Sequence, residues 1–108
     1  MIAIFHDGWI NQFESVAEDL ETMFPIPGEF LGGPDTRCYG GFRAVTGIHI
    51  GDYKEMKNLY LRIFKFAEEE GVELMEVSAE EYLLGPDMTS NPQKYITRLY
   101  LPVKGSKI

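Results

Sequence analysis

Two stretches of the chain place apolar residues at the three-and-four spacing of an amphipathic helix. In the first, Phe13, Val16, Ala17, Leu20, Met23 and Phe24 share one face, with Glu14, Glu18 and Glu21 outside it. Asn11 followed by Glu14 resembles a capping box, and Pro25 stops the pattern. In the second, Met56, Leu59, Tyr60, Ile63 and Ala67 form the central stripe, Phe64 and Phe66 flank it, and Leu61 is off it. Asp52 and Glu55 suit its start, and Gly71 its end.

The remaining apolar segments follow strand logic. Arg43–Ile50 is rich in β-branched and aromatic types around Gly47, and Met75–Leu83 alternates less clearly. The clearest alternation is in Ile96–Val103. Ile96, Arg98, Tyr100 and Pro102 fall on one side, and Thr97, Leu99, Leu101 and Val103 on the other. Ser90-Asn91-Pro92 marks the loop before it.

Three short matches recur in the same order. Phe5-His6-Asp7-Gly8 resembles Ile48-His49-Ile50-Gly51, and each precedes a helical pattern. Glu29–Asp35 resembles Glu81–Asp87, and Thr36-Arg37-Cys38-Tyr39 resembles Thr97-Arg98-Leu99-Tyr100. The expected architecture is therefore α+β: two tandem β-α-β-β repeats, about 1–43 and 44–105, in one domain spanning 1–108. They would form one antiparallel sheet with two helices on one face.

Composition narrows the partners. With 17 acidic against 10 basic residues the formal charge is -7, and the basic residues do not cluster, so direct binding to nucleic acid is not expected. The single cysteine, Cys38, excludes an intrachain disulfide and suits a reducing compartment. No apolar run reaches transmembrane length and the start does not read as a signal peptide, so a cytoplasmic protein without membrane contact is expected.

No established catalytic or metal-binding motif is present, and no cofactor or metal is expected. His6 and His49 occupy equivalent repeat positions and read as strand-end residues, and Cys38 as a buried thiol. Glu80-Glu81-Tyr82 carries more. Alternation puts Glu80 and Tyr82 on one face and Glu81 and Leu83 on the other, so one glutamate points inward, where a lone charge is costly. Glu81 has a counterpart in Glu29, whereas Glu80 aligns with Gly28, which marks Glu80 as the candidate anchor. Trp9, Phe42, Tyr53, Tyr82 and Tyr100 are the candidate walls of an aromatic cleft, with Phe13 and Tyr60 assigned to the core. Such a cleft with one carboxylate suits flat or cationic molecules.

The second copy resembles the GyrI-like small-molecule-binding domain, the effector-binding domain of AraC- and MerR-type regulators. Gly51-Asp52-Tyr53, Glu80-Glu81-Tyr82-Leu83 with Pro86, and Leu99-Tyr100-Leu101-Pro102-Val103-Lys104 carry the resemblance over about 42–104. The first copy departs from it in the very short connection Gly33-Pro34-Asp35-Thr36. The resemblance implies SHS2-type tandem repeats with a groove between the halves. It also implies a ligand-facing glutamate, matched by Glu80, and in multidrug-sensing members a lipophilic cation. No helix-turn-helix is read, so the chain is expected to be a stand-alone member or an isolated fragment of a regulator, and the expected function is a stand-alone binder of aromatic or cationic drug-like molecules rather than an enzyme. The family also includes hydrolases of cyclopropane-containing genotoxins, which would use Glu80, with Tyr82 beside it, as general acid or base. It further includes a DNA gyrase inhibitor, which would make the partner a protein that this sequence does not specify.

Overall fold

The computed structural model describes residues 1–6, 19–25, 33, 35–37 and 39–105. The described elements are β1 (Ile2–Phe5), β2 (Leu20–Met23), β3 (Ala44–Ile50), α1 (Met56–Glu70), β4 (Ser78–Leu84) and β5 (Ile96–Pro102). Short 3-10 turns at Tyr53–Glu55 and Pro92–Lys94 lead into α1 and β5. The strands form one antiparallel sheet in the order β2-β1-β4-β5-β3. The α+β class and the antiparallel sheet are as expected.

The helix forms where its apolar stripe predicts. Its buried residues are Met56, Leu59, Tyr60, Ile63 and Ala67, while Leu61 is exposed. The Asp52 side chain accepts from the Lys54 N–H at 3.0 Å and caps the 3-10 turn before it. Gly71 ends the helix at a φ of 69°, a left-handed conformation that lets its N–H reach the Ala67 and Glu68 carbonyls and that other residues adopt only at a cost.

The core lies between α1 and the sheet. Leu99 and Leu101 of β5 pack against Met56, Leu59, Tyr60 and Ile63, with Val45, Tyr53, Phe64 and Leu74 around them. The approach of α1 is close at Gly47, where an added Cβ would lie 2.8 Å from Leu59 Cδ1. A side chain at this position of β3 would have to push Leu59 aside, so the glycine lets α1 pack close to the strand. Leu99 is paired with Gly47 on one side and Glu80 on the other. Because side chains alternate, Val45, Gly47, Ser78, Glu80, Tyr82, Thr97, Leu99 and Leu101 share the helix side of the sheet. Thr46, Ile48, Glu81, Arg98 and Tyr100 share the opposite side, the open side, on which no helix among the described residues packs.

Three expectations are corrected. Leu20–Met23, expected as the last turn of a first helix, is strand β2, paired from Ile2↔Met23 to Phe5↔Leu20. Leu20 and Met23 fit the three-residue spacing of a helix and fall on opposite faces of a strand, so it is the hydrogen bonding offered by the backbone of β1 that makes this segment β2. Phe24, assigned to the same stripe, is 71% exposed. The rest of that helix, including Phe13, Val16 and Ala17, lies outside the described residues, among which α1 is the one α-helix. Second, Arg37 and Tyr39 lie in an irregular segment, whereas their proposed counterparts Arg98 and Tyr100 are in β5. Gly28, the proposed counterpart of Glu80, lies outside the described residues. Third, β4 starts at Ser78 rather than Met75, because Leu74 and Met75 make an isolated bridge to the end of β5.

Candidate functional site

The residue singled out from the sequence is buried at the centre of the sheet. Glu80, on β4 between Ala3 of β1 and Leu99 of β5, is 3% exposed. Its side chain faces α1, and two phenols meet it. Tyr60 Oη donates to Glu80 Oε2 at 3.1 Å, and Tyr82 Oη donates to Oε1 at 3.4 Å. Tyr60 Oη also lies 3.2 Å from Ser78 Oγ, so a short network runs from β4 through the helix and back to β4. Hydroxyl donors offset part of the cost of holding a carboxylate away from water.

A second layer of rings lies beside this network. Tyr53, in the turn before α1, meets Tyr82 edge to face with ring centroids 5.6 Å apart. On its other side Tyr53 stacks on Tyr95 at 4.9 Å and 29°. Tyr53, Tyr82 and Tyr95 are all half-buried. Across the β4–β5 pair from Tyr82, the Thr97 hydroxyl is buried without a hydrogen-bond partner among the described residues.

The carboxylate leaves an electrostatic mark on these phenols. Burial foremost, and then the charge of Glu80, push Tyr60 and Tyr82 far above the ordinary tyrosine range. Tyr53 is raised by burial, by Tyr95 and by Glu80. Glu80 is thus a shared electrostatic neighbour of Tyr53, Tyr60 and Tyr82.

The candidate wall residues divide between the two sides of the sheet. Tyr53 and Tyr82 join Glu80 on the helix side. Tyr100 is on the open side, where its hydroxyl donates to Glu81 Oε1 at 2.8 Å. Phe42 joins Tyr39 there, edge to face at 5.2 Å. Trp9 and Cys38 lie outside the described residues. His6 follows β1 directly and its Nε2 lies 2.8 Å from Glu21 Oε1, while His49 is near the end of β3 with its Nε2 2.8 Å from the Asp52 carbonyl. Among the described residues no group of three His, Cys, Asp or Glu side chains is placed to hold a metal, and no helix is long and apolar enough to cross a membrane.

Sequence reasoning missed three participants. Tyr60 was assigned to the core alone, yet its hydroxyl is a donor to Glu80. The signal was present, since a phenol in a buried stripe needs a partner where leucine would not. Ser78 follows from Glu80 by alternation once the inward face is known. Tyr95 carried no signal, because it lies outside every periodic segment.

The model of the GyrI-like small molecule binding domain matches residues 13–104. The chain belongs to this family, which supports a role in binding small organic molecules. A comparison with curated proteins gave no match.

Proposed function

We propose that the chain binds flat, cationic organic molecules on the helix side of the sheet, with Glu80 as the electrostatic anchor. The observation that carries this reading is a buried carboxylate set behind half-buried tyrosine rings. A planar cation stacked on Tyr53, Tyr82 and Tyr95 gains dispersion and cation–π attraction from the rings. It also gains Coulomb attraction from Glu80 through a medium less polarisable than water. A neutral molecule of the same shape gains only the first two of these in part, so charge discriminates. Titration of rhodamine 6G, followed by fluorescence anisotropy, tests the reading. Glu80→Gln keeps the shape and removes the charge, and is expected to weaken binding about tenfold or more, the size of a lost charge-assisted interaction. Binding of the dye that is indifferent to Glu80→Gln overturns the anchor role.

The Tyr82 hydroxyl against the Glu80 carboxylate favours a second reading, hydrolysis of a strained electrophilic ligand. Glu80 would take a proton from water and Tyr82 would orient or donate one. Product formation from a cyclopropane-containing electrophile, lost in Glu80→Gln, separates this from binding alone.

A further inference from the structure

The open side of the sheet carries a cleft of about 320 Å³ that shares none of the Glu80 cluster's residues. Ile2 and Ala44 supply apolar surface and Thr46 a hydroxyl, while Tyr39, Phe42 and Tyr100 supply rings. Gly40 and Gly41 complete the rim, and both adopt positive φ with open space where a Cβ would be. The rings are tethered from outside the cleft. Tyr100 is held by its hydrogen bond to Glu81. Tyr39 packs edge to face on Phe42, and the Arg37 guanidinium sits 5.4 Å over its ring. Arg37 is itself fixed by two contacts to Glu21, at 2.7 and 2.8 Å.

Two features define what fits. Every described residue lining the cleft is uncharged, and two of the charges beside it are paired: Arg37 with Glu21, and Arg98 with Glu81 at 3.7 Å. A charged ligand would lose its hydration there and meet no opposite charge among the described lining residues. The Tyr39 hydroxyl, in contrast, is buried and has no hydrogen-bond partner among the described residues. Such a group costs free energy until something accepts from it. The volume is at the small end of ligand sites, enough for one or two fused rings.

The geometry points to a second small-molecule site on the open side of the sheet, which takes a flat, neutral, one- or two-ring molecule whose acceptor oxygen or nitrogen receives a hydrogen bond from Tyr39. The two faces then select ligands of different charge, a cation over Glu80 and a neutral ring between Tyr39 and Tyr100. This site stands independently of the function proposed above.

Coumarin, a neutral bicyclic lactone with a carbonyl acceptor, is the probe, and binding is read by ligand-observed NMR on the full chain. Ala44→Leu fills the cleft and is expected to abolish coumarin binding. Tyr39→Phe, which removes one oxygen and keeps the ring, is expected to weaken it roughly fivefold, the worth of one neutral hydrogen bond. Glu80→Gln is expected to leave coumarin unchanged while reducing rhodamine 6G binding. No coumarin binding at millimolar concentration, binding that survives Ala44→Leu in a folded protein, or binding lost in Glu80→Gln overturns the site. Binding lost in Ala44→Leu but untouched by Tyr39→Phe supports the cleft and overturns the role of the hydroxyl. If rhodamine 6G ignores Glu80→Gln while coumarin behaves as expected, the anchor role of Glu80 fails and the open-side site stands.

Discussion

Glu80 and Glu81 are consecutive residues of one strand with opposite surroundings. Glu80 is 3% exposed beneath α1 and is met by the hydroxyls of Tyr60 and Tyr82. The Glu81 side chain is 24% exposed on the other side, where it accepts from Tyr100 and pairs with Arg98. Strand alternation alone separates them, and the helix layer makes the difference matter. On the open side, water and a guanidinium share the charge, so Glu81 acts as a tether for a ring. Under the helix the carboxylate accepts from two phenols, and it raises the cost of ionising Tyr53, Tyr60 and Tyr82. The same residue type thus becomes a source of potential on one face and a positioning group on the other.

The largest test of this contrast uses alkali. Tyr60 and Tyr82 are held far above the ordinary tyrosine pKa by burial and then by Glu80, whereas Tyr100 is raised less, by burial foremost. The unfolded chain releases these protons near pH 10 and the folded chain does not. Their contribution to stability is therefore complete below about pH 10 and is lost as pH rises toward the folded values. The loss reaches about 1.4 kcal/mol per tyrosine at one unit above pH 10, so about 3 kcal/mol for the helix-side pair. Urea unfolding between pH 9 and pH 11 is expected to show a shallower decline in Tyr82→Phe than in wild type, and a smaller flattening in Tyr100→Phe. Equal flattening by the two variants would break the contrast between the faces.

A smaller effect comes at neutral pH. Tyr60→Phe removes a donor from a carboxylate that water does not readily reach, at a cost of about 1–2 kcal/mol. Tyr100→Phe removes a donor from a carboxylate that water does reach, and is expected to cost about 0.5 kcal/mol or less. The same unfolding measurement at pH 7 compares them, and a Tyr100→Phe cost as large as that of Tyr60→Phe would mean that Glu81 is effectively as dry as Glu80.

What was legible in the sequence follows from how local each signal is. The α1 stripe and the two sides of β5 were readable because the period of each element is fixed by its own backbone. That one of Glu80 and Glu81 must face inward was readable for the same reason. The grouping of Tyr100 with Tyr82 was not. Alternation gives each strand two sides, but only the register Tyr82↔Thr97 says which sides coincide, and that register puts Tyr100 opposite Ala79. Leu20–Met23 is not legible as a strand because its apolar residues follow helical spacing, and the deciding partner, β1, lies outside the segment itself. The Glu80–Gly28 asymmetry lies outside the described residues, so the glutamate stands on its geometry in β4 instead.

The smallest effect probes the open side through Glu21 of β2, paired with Ile4 of β1. The hydrogen bond from His6, foremost, and the neighbouring Arg37 hold its carboxyl below the ordinary carboxylate range, against an opposing contribution from burial. A lowered folded pKa gives stability that is present above the ordinary carboxylate value of about 4.3 and lost as pH falls through the folded value. About a third of the Glu21 side chain is exposed, so solvent screens the network. The effect is expected to be a few tenths of a kcal/mol, smaller still at high salt. Urea midpoints at pH 6 and pH 3 for wild type and Glu21→Gln measure it, and the variant should lose slightly less on acidification. A difference above about 1 kcal/mol would mean that the open side holds its charges as dry as the helix side does, since solvated ion pairs rarely reach that size. The variant also loosens Arg37, which packs over Tyr39. A small stability change accompanied by a shift in the Tyr39 ring resonances would therefore identify Glu21, like Glu81, as a charge whose work on this face is to hold a ring in place.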